Sequence, residues 1–260
     1  MSDWLYRYVP ALDRRVHRIG LAGNFGIDPN TYAAALEQGI NYVFWTPKMK
    51  KVTPALKAAL KKDRESIVVA TGPTLSFFGG SLRSATEQIL RLLDIEYIDV
   101  LQQFWLGKTG ARTQGTIDAL HDLKESGKVR CIGTSIHDRP RAGKLAQERA
   151  FDMLMVRYNA AHPGAETDIF PHVDPKSTAV VAYTATRWRK LLKRPRKWEG
   201  RVPTAADCYR FCLSHDSVDL ALMGIKGEAQ FNENMEGLLK GPMDVDEMAW
   251  MREFGRVVHG

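Results

Sequence analysis

A run of polar side chains that could carry acid–base chemistry lies between Arg157 and His172 of this 260-residue chain. His162 changes its charge near neutral pH, so it can donate or accept a proton during a reaction. Tyr158 is a second proton donor, and Arg157 with Glu166 could orient either group. If the protein is an enzyme, we expect His162 and Tyr158 to be catalytic, with His137 as the next candidate. The alternative is that the segment forms a rigid, capped loop with no chemical role.

The spacing of the histidines and cysteines does not indicate a metal site. His162 and His172 are too far apart in sequence to form a tight pair of metal ligands. Cys208 and Cys212 share one helix face, and Cys131 lies within an apolar run, so buried thiols are the simpler interpretation. We therefore predict no bound metal and a location in the reducing cytoplasm.

The positive charge of the chain is concentrated in residues 187–201. The formal net charge is +7, yet outside this segment the chain carries 29 basic and 29 acidic residues. A solvated surface loop or a binding site for an anion such as phosphate would explain the excess. We do not expect nucleic-acid binding, because no second basic stripe accompanies the segment. Glu199 opposes eight basic residues: Arg187, Arg189, Lys190, Lys193, Arg194, Arg196, Lys197 and Arg201.

Short apolar runs that alternate with helical stretches must position these groups. Eight such units in a chain of this length predict an α/β fold of the (β/α)₈ TIM-barrel type, in which chemistry lies at the carboxyl ends of the strands. An open doubly wound sheet is the alternative, but no Gly-x-Gly-x-x-Gly turn follows an early strand. We predict strands over 17–22, 40–45, 66–71, 97–104, 129–134, 152–158, 178–183 and 218–224. We predict helices over 29–38, 52–62, 82–94, 114–126, 139–148, 165–170, 204–214 and 228–239.

The rest of the chain fits the same barrel. A short hairpin over 7–18 is expected to close the barrel floor, and a last helix is expected over 244–258. No low-complexity linker interrupts the chain, so we predict one domain over 1–260. No apolar run approaches the roughly 18 residues that would span a bilayer, so we predict no membrane segment, and the N-terminus does not resemble a signal peptide.

Four segments, in the expected order and spacing, resemble the aldo-keto reductase family. They are Gly39-Ile-Asn-Tyr, Leu92-Leu-Asp-Ile-Glu-Tyr-Ile-Asp-Val-Leu101, Gly127-Lys-Val-Arg-Cys-Ile-Gly-Thr-Ser135 and the stretch 224–234. The resemblance implies a (β/α)₈ barrel that reduces a carbonyl with NADPH. It also implies a mechanism in which a Tyr protonates the developing alkoxide. A Lys paired with an Asp lowers the pKa of that Tyr, and a His orients the substrate.

The four catalytic side chains that the resemblance implies are missing from the matching positions. The Asp position holds Phe44, or Trp45 if the register slips by one residue. The Tyr position holds Met49, the Lys position Gly72 and the His position Phe104. None of these side chains can relay a proton. The family's usual mechanism therefore does not carry over to this chain.

Part of the nicotinamide site that the resemblance implies is kept. Ser135 matches a Ser that hydrogen-bonds the nicotinamide carboxamide, and Tyr183 matches an aromatic residue that stacks on the nicotinamide ring. The Asn and Gln that share this task in the family are replaced by Ile136 and Met155.

The adenine and phosphate half of the implied site is better preserved. Glu233 and Asn234 match the pair that contacts the adenine edge. Gln230 matches a residue near the 2′-phosphate, and Lys226 precedes the same helix. Arg187 opens the loop that would contact the pyrophosphate. We expect NADP(H) to be the cofactor.

These observations predict an NADP(H)-dependent oxidoreductase that acts on a small carbonyl or alcohol and uses a non-standard proton donor. One alternative is a catalytically silent barrel that binds NADP(H) or another phosphorylated ligand and acts as a sensor or partner subunit. Another is a barrel adapted to non-redox chemistry. An apolar or aromatic substrate would suit a mouth that we expect to be lined by Trp45, Phe77, Phe78, Phe104 and Trp105.

Overall fold

The computed structural model describes residues 3–196 and 198–259. This part of the chain contains every strand and helix that the sequence predicts. Lys197, one of the eight basic residues of the segment 187–201, lies outside the described residues, as do the first two residues and the last residue of the predicted domain.

An antiparallel hairpin precedes the barrel, as predicted. It consists of β1 (Tyr6–Val9) and β2 (Arg14–His17). Val9 and Val16 are buried against the inward-facing side chains of the barrel. The thiol of Cys131, inside the barrel, donates a hydrogen bond to a carbonyl of the segment that joins the two hairpin strands. The hairpin therefore closes the amino-terminal end of the barrel.

Eight parallel strands close into a ring, which confirms the predicted (β/α)₈ fold. They follow one another around the ring in chain order, and the last strand pairs with the first. The strands are β3 (Ile19–Ala22), β4 (Tyr42–Phe44), β5 (Val68–Thr71), β6 (Ile98–Gln103), β7 (Val129–Ile136), β8 (Met153–Arg157), β9 (Ala179–Tyr183) and β10 (Leu220–Met223).

Alternate strand residues form two separate apolar layers. The inner layer fills the barrel with side chains such as Tyr42, Val100 and Met153, whereas the outer layer packs between the strands and the helices. Space inside is tight: a Cβ atom on Gly20 would lie 2.7 Å from the Tyr42 ring. The inner layer continues upward to Phe44, Phe104 and Tyr183, which places these residues at the carboxyl-terminal mouth of the barrel.

Helices surround the strands, and side-chain caps fix where several of them begin. Asp28, Thr113, Asp138 and Thr204 each accept a hydrogen bond from a backbone N–H in the first helical turn. Of the described helices, none has the length and apolar character to cross a bilayer. The helices are α1 (Pro29–Glu37), α2 (Thr53–Lys62), α3 (Gly79–Leu93), α4 (Gln114–Glu125), α5 (Arg139–Gln147), α6 (Ala165–Asp168), α7 (Ala205–Leu213), α8 (Glu228–Leu238) and α9 (Val245–His259).

Helix α3 begins three residues earlier than the sequence predicts. Its first residue is Gly79, and the low helix propensity of glycine argued against a helix start there. A Cβ atom on Gly79 would lie 2.0 Å from the carbonyl oxygen of Gly115. The missing side chain thus permits close packing of α3 on α4, and this tertiary contact outweighs the local preference.

Candidate active site

A cavity of about 1410 Å³ opens at the carboxyl-terminal ends of the barrel strands. Strand residues Phe44, Met155 and Tyr183 line its inner end. Its outer end reaches the first turns of α8, where Gln230 and Asn234 line it. The cavity is therefore elongated and connects the barrel mouth to the start of a helix.

Aromatic rings in edge-to-face contact line the inner end. Phe44 and Phe104 have ring centroids 5.5 Å apart. The His137 ring lies between Trp105, at 5.8 Å, and Tyr183, at 5.9 Å. The Tyr183 hydroxyl is 3.1 Å from a ring nitrogen of His137, so the two side chains share a hydrogen bond. The inner end thus combines apolar walls with one polar pair.

Both members of this polar pair are held in their neutral forms at pH 7. Desolvation lowers the pKa of half-buried His137, and the positive charges of Arg157 and Lys108 lower it further. Desolvation also raises the pKa of Tyr183 to about 12. A neutral imidazole and a neutral phenol retain one N–H and one O–H between them. The pair can therefore hold one proton in a mutual hydrogen bond and present the other to a ligand.

Ser135 fixes the loop that follows β6. The serine is buried, and its hydroxyl oxygen accepts a hydrogen bond of 2.9 Å from the backbone N–H of Trp105. Its carbonyl oxygen accepts a second hydrogen bond, from Leu106. The hydroxyl proton is left to donate into the cavity that Ser135 lines.

The positions of the missing catalytic side chains fall into two groups. Phe44, Met49 and Phe104 line the cavity, so apolar side chains stand where acid–base chemistry would be expected. Phe44 lines the cavity while Trp45 is buried in the outer layer, so of these two residues Phe44 is the one placed where a catalytic side chain would face a ligand. Gly72 does not line the cavity. A Cβ atom on Gly72 would lie 2.0 Å from the carbonyl oxygen of Gln102.

The predicted aromatic mouth is only partly present. Phe104 and Trp105 line the cavity, whereas Phe77 and Phe78 do not. Trp45 points away from the cavity, and its indole N–H donates to the Thr53 hydroxyl. Alternation of side chains along β4 turns Trp45 outward. The loop after β5 carries Phe77 and Phe78 away from the mouth.

The outer end of the cavity combines amide groups with unpaired cations. Asn234 is buried, and its amide contacts the Met223 sulfur at 3.5 Å. The Gln230 side-chain oxygen accepts a hydrogen bond from the backbone N–H of Lys226. Within residues 3–196 and 198–259, the charged ends of Lys226 and Arg189 have no ion-pair partner. They are available to an anionic ligand.

The loop that follows β9 has an unusual backbone conformation next to this cavity. Arg187, Trp188 and Arg189 have φ angles of 48°, 50° and 68°. Three successive non-glycine residues in the left-handed region cost on the order of 1–3 kcal/mol each, and such strain is typical of functional sites. The conformation turns Trp188 and Arg189 toward the cavity, whereas the Arg187 guanidinium donates to the Val258 carbonyl. Arg187 therefore does not line the cavity, and its pyrophosphate contact stays a prediction.

Sequence reasoning singled out neither Trp188 nor Arg189 for the site. Their one signal in the sequence is their place in the basic segment after a predicted strand. It also missed three exposed lysines after β4 that line the cavity, although they surround Met49: Lys48, Lys50 and Lys51.

The two side chains that the sequence predicts to be catalytic both lie outside the cavity lining. The His162 ring nitrogen is 3.2 Å from the Asn159 side-chain oxygen, and the Asn159 amide donates to the Thr184 carbonyl. Tyr158 is fully buried, and its hydroxyl donates to Glu166 at 2.6 Å. These contacts fit the alternative of a rigid, capped loop. Their catalytic role stays a prediction that these contacts do not favour.

The Tyr158 hydrogen bond has a measurable structural consequence. Glu166 also forms an ion pair with Arg252 of α9, so Tyr158 helps to hold α9 on the barrel. We expect Tyr158→Phe to lower the free energy of unfolding by about 1–3 kcal/mol, because a buried hydrogen bond to a charged group is lost. Tyr32→Phe is the matched control: Tyr32 is equally buried, and among the described residues its hydroxyl has no partner. Urea unfolding should separate the two variants, and equal midpoints would contradict the assignment.

Metal binding has no support in the described part of the chain. There, no three His, Cys, Asp or Glu side chains lie close enough together to hold a metal ion. Cys131, Cys208 and Cys212 are buried free thiols, as the sequence suggests.

Comparison with known proteins gives concordant results. The sequence model of the aldo/keto reductase family matches residues 30–197. The NADH-specific methylglyoxal reductase of Escherichia coli (strain K12) is 26% identical over 106 residues. That stretch covers 40% of this chain but only 32% of the relative, so the match spans about a third of the relative's length.

Solved structures share the whole barrel at lower identity. The holo form of aldo-keto reductase AKR11C1 from Bacillus halodurans superposes with a TM-score of 0.80 at 22% identity, covering 96% of this chain and 95% of that one. The glycerol dehydrogenase AKR11B4 from Gluconobacter oxydans gives 0.79 at 19% identity, covering 100% and 98%. An aldo/keto reductase from Klebsiella pneumoniae in complex with NADP and acetate gives 0.78 at 18% identity, covering 97% and 95%. At these identities the likeness establishes the fold.

Proposed function

The chain belongs to the aldo-keto reductase family, and from this premise we propose that it is an oxidoreductase that binds NADP(H) in the cavity and interconverts a small carbonyl compound with its alcohol. The observation that carries the proposal is one continuous cavity. It joins Ser135 and Tyr183 at the barrel mouth to Glu233 and Asn234 at the start of α8. Six of the seven residues expected to contact the cofactor line this one space.

The chemistry of the outer end suits the phosphates and adenine of NADP(H). Arg189 and Lys226, which form no ion pair within the described part of the chain, offer two positive charges to the phosphate groups. The Asn234 amide is buried at the wall, where it can hydrogen-bond an adenine edge, and Glu233 is beside it. Arg189 here takes the pyrophosphate contact that the sequence assigned to Arg187.

The inner end suits the nicotinamide. Tyr183 offers an aromatic face, and the Ser135 hydroxyl offers a proton to the carboxamide. Met155 and Phe44 provide apolar walls in place of further amide donors. Bound NADPH would supply the hydride at this end of the cavity. What the protein's own residues must add is a proton for the carbonyl oxygen.

We assign the proton to His137 in partnership with Tyr183. Of the three donors that the sequence predicts, His137 lines the cavity, whereas His162 and Tyr158 do not. Arg157 and Lys108, whose positive charges lower the pKa of His137, would also stabilise negative charge that develops on a nearby oxygen. The His137 pair thus combines a proton donor with a positive potential.

A catalytically silent barrel is the second candidate. Phe44, Met49 and Phe104 close the inner end with apolar side chains, which favours binding without turnover. The two candidates differ in one observable, because only the oxidoreductase consumes the cofactor.

The cofactor proposal predicts different effects for two neighbouring arginines. Arg189→Gln should weaken NADPH binding by about 1–3 kcal/mol, which is a factor of roughly 5–150 in Kd, because it removes a charge-assisted hydrogen bond to a phosphate. Arg187→Gln, the matched control, should change the Kd much less. Titration of NADPH fluorescence measures both, and raised salt should weaken binding to the unsubstituted protein.

Two results would count against this account in different ways. No change in NADPH fluorescence at millimolar cofactor would refute cofactor binding altogether. A larger loss in Arg187→Gln than in Arg189→Gln would leave the function intact but restore the pyrophosphate contact to Arg187.

A further inference from the structure

Arg157, the last residue of β8, is a cation that has no counter-ion among the described residues. Its position is half-buried and lies beside Tyr183 of β9 in the register of the barrel. Within residues 3–196 and 198–259, its guanidinium makes no hydrogen bond and no ion pair. Removing a positive charge from water without pairing it is unfavourable, so such a residue is a candidate for binding an anion.

Contacts with two neighbouring residues at the end of α9, Val258 and His259, bring a second arginine and a histidine together. Arg187 is half-buried, and its contact is with the Val258 carbonyl, which leaves further N–H groups of the guanidinium free to bind. The half-buried His162 ring packs edge-to-face on the His259 ring at 5.1 Å. Desolvation is the main reason that the pKa of His162 is lowered to about 4. Smaller contributions come from the positive charges of Arg157, Arg187, His259 and Arg139.

The acidic side chains of this region are committed to other partners. Glu166 accepts hydrogen bonds from the Tyr158 hydroxyl and from Arg252. Asp168 pairs with Arg139 at 2.9 Å. The described residues therefore leave the charges of Arg157 and Arg187 without a neutralising carboxylate.

We propose that Arg157, Arg187 and His162 form a binding site for an oxyanion, a phosphate or carboxylate group, at the rim of the barrel. The two guanidinium groups supply paired N–H donors, which oxyanions prefer. The His162 Nδ1–H donates to the Asn159 side-chain oxygen, so the imidazole supplies a third donor, Nε2–H, when it is protonated. None of the three residues lines the cavity, so the site is distinct from the outer end of the cavity with Arg189, Lys226 and Gln230.

The position of the site suggests two sources for the oxyanion. Arg157 is next to Tyr183, which lines the inner end of the cavity, so the two sites share a wall. The group can belong to a substrate whose carbonyl lies in the cavity, or it can be a free anion. A substrate-borne group and a free anion would present the same oxyanion to the two arginines.

The test follows His162 by NMR in the full-length protein. The His162 resonance, assigned with His162→Asn, is titrated with pH in the absence and presence of inorganic phosphate. We expect phosphate to raise the pKa of His162 by about 1–3 units, because an opposite charge within about 4–6 Å favours the protonated imidazole. His121, exposed on α4, is the internal control and should not respond.

Substitution of Arg157 makes the test specific. Arg157→Gln should abolish the response of His162 to phosphate, and it should raise the pKa of His162 when phosphate is absent. Arg91→Gln, which removes an exposed arginine of α3, should leave both values unchanged. If Arg157→Gln fails to fold, Arg157→Lys keeps the charge but removes the paired donors, and a weakened response is expected.

A pair of aldehydes identifies the source of the anion. Benzaldehyde and its 4-carboxylated derivative differ in the carboxylate alone. A substrate-borne group is indicated if the carboxylated aldehyde shifts the pKa of His162 at concentrations where free benzoate does not. A free anion is indicated if phosphate or benzoate alone shifts it. An unchanged His162 titration with phosphate and with both carboxylates would overturn the proposal, as would equal responses in Arg157→Gln and the unsubstituted protein.

Discussion

Reduction of a common aromatic aldehyde with NADPH is expected to be about 10²–10⁴-fold slower than in a family member with the full set of catalytic side chains, since general acid catalysis accounts for a factor of that size. The side chains that line the cavity explain this expectation. Phe44, Met49 and Phe104 offer no proton, and the donor that we propose in their place is the neutral pair of His137 and Tyr183. Steady-state oxidation of NADPH, followed by its absorbance, measures the rate.

A matched pair of variants assigns the residual rate. His137→Phe should abolish it, because the variant removes the one imidazole that lines the cavity in the described part of the chain. His162→Phe should leave it nearly unchanged, because His162 faces the rim. The reverse result would return the catalytic role to His162, as the sequence predicted.

The residual rate should also depend on pH in a defined direction. Protonated His137 is the stronger acid, and desolvation holds its pKa below the ordinary value of 6.5. The rate should therefore rise as the pH falls through this lowered pKa, rather than near 6.5. Turnover on the order of 1–10 per second at neutral pH would contradict the whole account and would mean that another donor operates.

The sequence predicted the fold well because its signals are local and repeated. Each strand is a short apolar run, and capped helices separate the runs, so the period and the order together specify the barrel. The start of α3 was misjudged because a tertiary contact at Gly79 outweighs the low helix propensity of glycine. Pairwise packing of this kind leaves no mark in the local sequence.

The site was predictable where it lies on regular elements. Ser135 is the next-to-last residue of β7, and Tyr183 is the last residue of β9. Gln230 and Asn234 lie on the first turns of α8, so the periodicity of each element fixes where the side chain points. His162 lies beyond the end of β8, where a tight turn and the amide of Asn159 set its direction instead.

The directions of the arginine side chains in the loop after β9 could not be predicted, for a related reason. Arg187 and Arg189 are arginines two residues apart in the same basic segment, so the sequence alone does not distinguish them. Successive left-handed backbone angles send one toward the end of α9 and the other into the cavity. Non-glycine residues adopt this conformation when the surrounding structure imposes it, so the sequence carries no signal for it.

Gly72→Ala is expected to destabilise the protein by about 1–3 kcal/mol or more, which is the cost of forcing a methyl group into a packed interior. The Cβ atom would lie 2.0 Å from the Gln102 carbonyl oxygen and 3.0 Å from its carbon, so backbone rather than a flexible side chain must move. That backbone belongs to β6, which pairs with β5 on one side and β7 on the other. Gly80→Ala is the control, because a Cβ atom there meets nothing within 4 Å and lies in the first turn of a helix. Urea or thermal unfolding of the two variants measures the difference.

The same contact means that this barrel cannot regain the family's catalytic set by side-chain exchange alone. Phe44→Asp, Met49→Tyr and Phe104→His replace side chains that already line the cavity. Gly72→Lys is different, because its Cβ atom meets the same Gln102 carbonyl before the amine can approach the new tyrosine. Without that lysine the pKa of the tyrosine would stay near its ordinary value of about 10 or above, and the tyrosine would be a poor acid at neutral pH. We therefore expect the triple variant to remain slow and the quadruple variant to unfold at lower denaturant than the triple variant. The opposite result is a quadruple variant that folds as stably as the triple variant and reduces aldehydes at a rate typical of the family. That result would show that β5 and β6 can separate to admit a side chain at position 72.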